Sequence, residues 1–436
     1  MLLSQSSPYP ANAGPTASEQ ALLERRARLL GPTYRAFYRN PIHLVRGSGV
    51  WLYDAQGRRF LDAYNNVASV GHCHPRVVEA LSGQAASLNT HTRYLSEIIL
   101  DYAERLLGTV PAHLGHAMFT CTGSEANDLA IRIAQHSSGG TGVIITDFAY
   151  HGATIATAQL SPAAVGAKGV PAHHRTVAAP DTFRDHGRAA QDFARNVAAA
   201  IEDMRAQNIR PAALLLDSAF SSDGIFFPDA AVMREAADHV RKAGGIVIAD
   251  EVQSGFGRLG QGMWGFANYG IEPDIVTMGK PIGDGHPMGA VLVRPQLVSS
   301  FGSNTGYFNT FGGNPVAAAV GIAVLDVIEG EGLIENARNV GVYTGELLDA
   351  LQSRHGMVGD VRHNGLYFGV ELTAEGNDGL AATKTSAIVE AMREDGVLIS
   401  SCGPRGNVLK IRPPLPFARD NAEQLAETLD GALSNW

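Results

Sequence analysis

The feature that most constrains the fold is an alternation along the chain. Apolar runs of strand length, at residues 117–121, 142–146, 212–216, 245–249 and 275–278, are separated by helical patterns such as residues 127–135 and 230–243. Strands covered on both faces read as unbroken apolar runs, and helices between them connect them in parallel. The pattern predicts an α/β domain with a mostly parallel central sheet. From about residue 318 the texture shifts to long amphipathic helices, residues 318–329 and 333–352, and then to shorter strands around residues 365–370. This predicts a second, smaller α+β domain at residues 318–436, with the large domain at residues 76–317 and residues 19–75 counted as the N-terminal part of the small one. Residues 1–18, rich in Ser, Pro, Ala and Gly, read as a loose arm before a helical pattern at residues 19–30.

Composition narrows the function. At 436 residues there is enough chain for two or three domains, and a net charge of -9 without a basic cluster leaves no footprint for nucleic acid. No run of eighteen apolar residues occurs, and the first residues lack a basic segment followed by an apolar one, so neither a membrane partner nor secretion is expected. Cys73, Cys121 and Cys402 are few, odd in number and without paired spacing, which fits a reducing compartment. The expected location is the cytoplasm.

Ligands of open parallel sheets sit beyond the carboxyl ends of the strands, so those ends carry the functional reading. Lys280 closes the apolar run at residues 273–280 and precedes the loop Pro281-Ile282-Gly283-Asp284-Gly285. It is one of only five lysines, and the other four, Lys168, Lys242, Lys384 and Lys410, read as lying among polar or turn residues. Desolvation at a strand end lowers a lysine's pKa and makes it a nucleophile toward an aldehyde, forming a Schiff base. The plain alternative is a surface lysine just past the strand. Thr122 and Glu125 have capping-box spacing around Gly123 and Ser124, so free amides there suit a phosphate, or simply open an ordinary helix. Asp250 lies at the lip of a very apolar run and needs a cation, either a protonated pyridine nitrogen or an arginine. Tyr150, in Asp147-Phe148-Ala149-Tyr150-His151-Gly152, suits stacking on a flat cofactor or packing in the core.

Two motifs compete. Gly255-Phe256-Gly257-Arg258-Leu259-Gly260 matches the dinucleotide fingerprint GxGxxG after a strand, but Gln261-Gly262-Met263-Trp264-Gly265 does not open a helix, which ranks a nicotinamide dehydrogenase well behind. His72-Cys73-His74 lacks a second ligand group at finger-like spacing, so no metal is expected.

Taken in chain order, Thr122-Gly123-Ser124-Glu125-Ala126-Asn127, Tyr150-His151-Gly152, Asp250-Glu251-Val252-Gln253-Ser254-Gly255-Phe256-Gly257-Arg258, Gly279-Lys280 and Asn309-Thr310-Phe311-Gly312-Gly313-Asn314-Pro315 resemble the class III aminotransferases, pyridoxal-phosphate enzymes of fold type I. The resemblance runs from about Gly49 to the C-terminus and implies an aspartate-aminotransferase-like large domain. It implies that Lys280 carries the cofactor as a Schiff base and shuttles a proton, while Asp250 pairs with the pyridine nitrogen. Gly123 and Ser124 would bind the cofactor phosphate, with Thr310 reaching it from the neighbouring subunit of a homodimer or higher oligomer with a shared site. Tyr150, followed by His151, would stack on one ring face, Val252 would pack on the other, and Gln253 would contact the phenolic oxygen. Gly71-His72-Cys73-His74-Pro75 matches a segment of the same family, which makes His72 a substrate contact or a helix cap. One departure is Asp217-Ser218, where the family carries Glu-Pro.

The strings Tyr64-Asn65-Asn66-Val67-Ala68, Leu88-Asn89-Thr90-His91-Thr92-Arg93-Tyr94-Leu95, and the segment from Asp274 to Pro287 are similar to the ethanolamine-phosphate phospho-lyase branch. That branch implies a small primary amine as substrate and elimination of phosphate. Plain transamination is the rival, and a catalytically silent cofactor-binding protein the distant one. Arg412 suits a substrate carboxylate or phosphate, and Arg405 in a Gly-Pro-Arg-Gly loop is a second anion contact to test.

Overall fold

The computed structural model describes residues 16–34, 36–374 and 378–435. Its centre is a seven-stranded sheet in the order His116–Thr120, Gly289–Val293, Ile275–Met278, Ile246–Asp250, Pro211–Asp217, Gly142–Thr146, Arg175–Val177. Only Gly289–Val293 runs antiparallel to its neighbours, so the sheet is mostly parallel, as the alternation predicts. The strand at residues 245–249 is displaced by one residue to Ile246–Asp250 because Asp250 stays in the ladder, opposite Asp217 on one side and Thr277 on the other. The carboxylate is therefore held by strand pairing rather than by a free loop.

Helices cover both faces. Gly123–Ser138 packs on one face with Leu129 and Ile133 against Val143, Ile145 and Leu215. Arg188–Ala206 and Ala230–Lys242 close the other with Val197, Ile201 and Val240 against Leu214 and Val247. Truncating a fully buried leucine such as Leu215 to alanine costs about 2–5 kcal/mol. Gly123–Ser138 begins four residues before its apolar periodicity, since Thr122 caps it. The Thr122 hydroxyl accepts from the Glu125 amide, and the Glu125 carboxylate accepts from the Thr122 and Cys121 amides.

Pro315–Gly330 is apolar nearly all round and is buried, as such helices must be. Leu333–Arg354 follows it and packs on an antiparallel sheet of Val358–Asn364, Tyr367–Leu372, Val408–Ile411 and Ser400–Cys402. A third sheet joins the two ends of the chain. Leu44–Ser48, Trp51–Asp54 and Arg59–Asp62 form a meander whose last strand pairs in parallel with Val397–Leu398. Residues 1–15 of the expected arm lie outside the described residues. Thr16 caps the helix Ala17–Leu30, two residues ahead of the expected start.

Candidate active site

The carboxyl ends of the central strands and the start of Gly123–Ser138 converge on a cavity of about 200 Å³. It is lined by Gly123, Ser124, Tyr150, His151, Asp250, Val252, Gln253 and Lys280, together with Asn127, Gly152 and Asp217. Eight of the residues singled out in the sequence thus meet in one place.

Lys280 follows Ile275–Met278 and has φ +39°, a left-handed backbone that costs a non-glycine residue about 1 kcal/mol or more. That conformation turns the chain back toward the sheet. Burial first, and then the Arg412 guanidinium, pull its amine down from the ordinary lysine range to about 8, against the opposing pull of Asp250 and Asp217. About a tenth of the amine is therefore neutral at pH 7, against well under a hundredth for an ordinary lysine.

Asp250 is fixed by a chain of donors. Its Oδ2 accepts from Asn127 Nδ2 at 2.8 Å and from His151 Nδ1 at 2.7 Å, and its Oδ1 accepts from the Val252 amide at 3.1 Å. An acceptor-only carboxylate requires the His151 proton on Nδ1. Thr277 Oγ1 donates to Asn127 Oδ1 at 2.6 Å, which orients the Asn127 amide so that its nitrogen serves both Asp250 and the His151 carbonyl. Asn127 was not assigned a role from the sequence. Its signal is an asparagine inside a helix, where such a side chain is unfavourable unless bonded elsewhere. Glu251, by contrast, is consumed by structure: Ser218, Ser254 and the amides of Gly265 and Phe266 all donate to it.

The floor is built close. A Cβ on Gly279 would lie 2.9 Å from the Cα and N of Gly123, and one on Gly123 would lie 2.8 Å from Val252 Cγ2. The helix start and the strand bearing Lys280 therefore touch backbone to backbone, leaving the first-turn amides facing the cavity.

Beside the cavity, Arg412 donates to Gln253 Oε1 and lies 4.9 Å over the Tyr64 ring. Lys410, read from the sequence as a polar or turn lysine, is instead buried in the strand Val408–Ile411. Its Nζ donates to the Ser221 carbonyl at 2.6 Å and to Gln253 Oε1 at 3.4 Å. The missed signal is the run Val408-Leu409-Lys410-Ile411, whose β-pattern carries Lys410 to the same side as Arg412. Four other residues lie apart. Arg405 bonds Asp378 at 2.8 Å and lines a different cavity of about 390 Å³ with Arg184, Asp147 and Asp223. His72 Nε2 meets Asp62 Oδ2 at 2.6 Å and packs against Gly47, while His74 turns to Glu331. Thr310 lies on an exposed loop before Pro315–Gly330 and does not line the cavity of its own chain.

The segment Gly255-Phe256-Gly257-Arg258-Leu259-Gly260 forms turns, and the next element is the short 3₁₀ helix Gly265–Tyr269 rather than a phosphate-binding helix. Arg258 is fully buried, with its guanidinium on the carbonyls of Leu366 and Pro413.

Comparison with known proteins agrees with this architecture. The sequence pattern of the family described as aminotransferase class-III matches residues 34–433. The chain is 36% identical to ethanolamine-phosphate phospho-lyase homolog 1 of Caenorhabditis elegans, over 98% of this chain and 96% of that one. It is 39% identical to alanine–glyoxylate aminotransferase 2 homolog 2, mitochondrial, of Arabidopsis thaliana, over 98% and 89% respectively. Among solved structures, a phospholyase from Arthrobacter in complex with phosphoethanolamine superimposes with a TM-score of 0.90 at 43% identity, covering 95% of this chain and all of that one. With the family pattern spanning nearly its whole length and a lysine at the expected strand end, the chain belongs to the class III aminotransferases, a pyridoxal-phosphate-dependent family of fold type I.

Proposed function

We propose that the protein is a phospho-lyase that removes phosphate from a small primary amine bearing it on the neighbouring carbon, as in O-phosphoethanolamine. The observation that carries this reading is the position of Arg412: buried, acting on the Lys280 amine, and making no ion pair among the described residues. The Asp217 carboxylate accepts from the amides of Ala219 and Ser221, each at 2.9 Å, and makes no ion pair with it. A buried cation without an ion-pair partner at the reaction centre favours an anionic substrate group. The likeness to a phospholyase that binds phosphoethanolamine supports the same substrate.

The residues present fit pyridoxal phosphate. The free amides of Gly123 and Ser124 at a helix start suit its phosphate, Tyr150 and Val252 flank a flat ring, and Asp250 keeps a lone pair for a protonated ring nitrogen. When bound, the cofactor supplies an aldehyde that captures amines and a protonated ring that accepts the electron pair left on the substrate carbon. Lys280 Nζ holds and moves the proton taken from the carbon bearing nitrogen. Arg412 binds the phosphate, which leaves with the bonding pair of its C–O bond. Asn127, His151 and Val252 keep Asp250 aimed at the ring.

The site is shared in this reading. Enzymes of this family are typically dimers, and Thr310 sits between Phe308 and Phe311, both exposed, on a loop suited to reach a second copy's cofactor phosphate. The three cysteines are free thiols, which supports a reducing, cytoplasmic setting, and no helix among the described residues is long and apolar enough to cross a membrane. Transamination is the second reading, favoured by the planar Arg412 fork, which matches a carboxylate as well as a phosphate.

One incubation separates them. Cofactor-loaded protein is given O-phosphoethanolamine with and without pyruvate, and inorganic phosphate and alanine are followed together. Phosphate release independent of pyruvate establishes the lyase; alanine without phosphate establishes the transaminase.

A further inference from the structure

A single amide oxygen beside Lys280 is asked to serve too many donors. Gln253 Oε1 accepts from Arg412 Nη1 and from Lys410 Nζ, with Tyr367 Oη at 3.5 Å. An ammonium has three donors and a guanidinium five, whereas an amide oxygen offers two lone pairs. Lys410 finds one other acceptor, the Ser221 carbonyl, and Arg412 Nε has no partner although the residue is only 6% exposed. Neither cation makes an ion pair among the described residues, and they repel each other and Lys280. A buried guanidinium and a buried amine, the latter lowered to about 7 by burial first and then by Arg412, carry surplus donors beside the Lys280 cavity through Gln253; they fit an acceptor-rich group of charge -2, whose approach draws a proton onto the amine.

We infer that Lys410 and Arg412 together form a dianion subsite for the substrate's phosphate, with Gln253 Oε1 holding the two cations in place until the phosphate takes over as their acceptor. Lys410 is thus a specificity-determining residue: Arg412 alone suits a carboxylate, and the second cation selects the doubly charged phosphate. Lys410 sits two residues from Arg412, and its amine reaches the same oxygen from the neighbouring side. The inference rests on the phospho-lyase reading for the name of the substrate. The subsite itself rests on the donor count.

The test uses the holoenzyme, whose cofactor already fills the phosphate site at Gly123 and Ser124. Binding of inorganic phosphate and of acetate is measured by titration calorimetry at pH 7.5, alongside turnover of O-phosphoethanolamine, for the wild type and for Lys410→Met and Lys410→Arg. The expected result is phosphate bound at least tenfold more tightly than acetate by the wild type. Lys410→Met should lose ten- to a hundredfold of phosphate affinity and raise KM more than it lowers kcat, while acetate weakens less than threefold. Lys410→Arg should restore most of the phosphate affinity. Equal weakening of phosphate and acetate in Lys410→Met would mark Lys410 as a packing residue and overturn the subsite. Wild-type protein that binds phosphate no better than acetate overturns it without any variant, so a misfolded Lys410→Met does not protect the idea. Failure of the reaction reading looks different: no phosphate is released, yet inorganic phosphate still binds through Lys410.

Discussion

His151 Nδ1 and Asp250 Oδ2 lie 2.7 Å apart with both residues nearly sealed from water, which makes the imidazole a fixed donor to the carboxylate at the centre of the site. Asp250→Asn keeps the shape and removes the charge. The expected outcome is a loss of about 10²–10³-fold in kcat, with the fold retained, measured by turnover and circular dichroism. His151→Ala leaves the Asn127 and Val252 donors in place and should cost about tenfold. Because the residues share one hydrogen-bond chain, the double variant should lose far less than the product of the two. Independent, multiplicative losses would show that His151 does not act through Asp250.

Lys280 combines a chemical role with a strained backbone. Its φ of +39° is tolerated by glycine at no steric cost, whereas alanine keeps the Cβ clash. Both Lys280→Ala and Lys280→Gly should abolish turnover and the absorbance of covalently held cofactor. Denaturant titration should find the glycine variant more stable than the alanine variant by about 1 kcal/mol. Equal stabilities would mean that the left-handed conformation is not kept in solution.

The pH dependence of cofactor capture follows from the same amine. Burial and Arg412 hold its folded pKa at about 8, so the neutral nucleophile becomes the main form of the apoprotein above that pH. The rate at which apoprotein takes up pyridoxal phosphate should rise through pH 8 and then level. The unfolded chain keeps this proton up to the ordinary lysine range, so between the two values the group's contribution to stability increases with pH. Arg412→Met removes the cation next in importance to burial and should move the inflection upward. An unmoved inflection would remove Arg412 from the vicinity of the amine.

The strands at residues 142–146 and 275–278 were legible to the residue, because unbroken apolar runs between polar loops have no other stable use. The neighbours of Lys280 were legible because parallel sheets place ligands at strand ends, and Gly123, Tyr150, Asp250 and Lys280 all stand there. What was not legible is long-range. Strand order depends on which runs pair across more than a hundred residues, so the antiparallel placement of Gly289–Val293 beside His116–Thr120 leaves no local trace. Lys410 was misread for the same reason: its burial depends on Ser221 and Gln253, 189 and 157 residues away. Arg405 shows the converse, an arginine whose loop looked like an anion contact and whose partner is Asp378.

Asp223 offers a stability test outside the site. It is buried at the wall of the Arg405 cavity, with Oδ2 accepting from Thr146 Oγ1 at 3.0 Å and Oδ1 from the Phe148 amide at 3.2 Å. Burial pushes its carboxyl up to about 8, aided by the negative charges of Asp147 and Asp217 and opposed by those two hydrogen bonds. The folded protein therefore keeps this proton between the ordinary carboxyl range and about pH 8, while the unfolded chain gives it up. With fewer protons on the unfolded state, the group's contribution to stability falls as pH rises through that window and is level above it. Asp223→Asn cannot ionise, and its amide can accept from Phe148 and donate to Thr146 once that hydroxyl turns. The variant should match the wild type in denaturant midpoint below about pH 4, where both states of the wild type keep the proton, and exceed it increasingly up to pH 8. Parallel pH profiles for the two proteins would show that Asp223 is ionised in the fold and that its enclosure opens in solution.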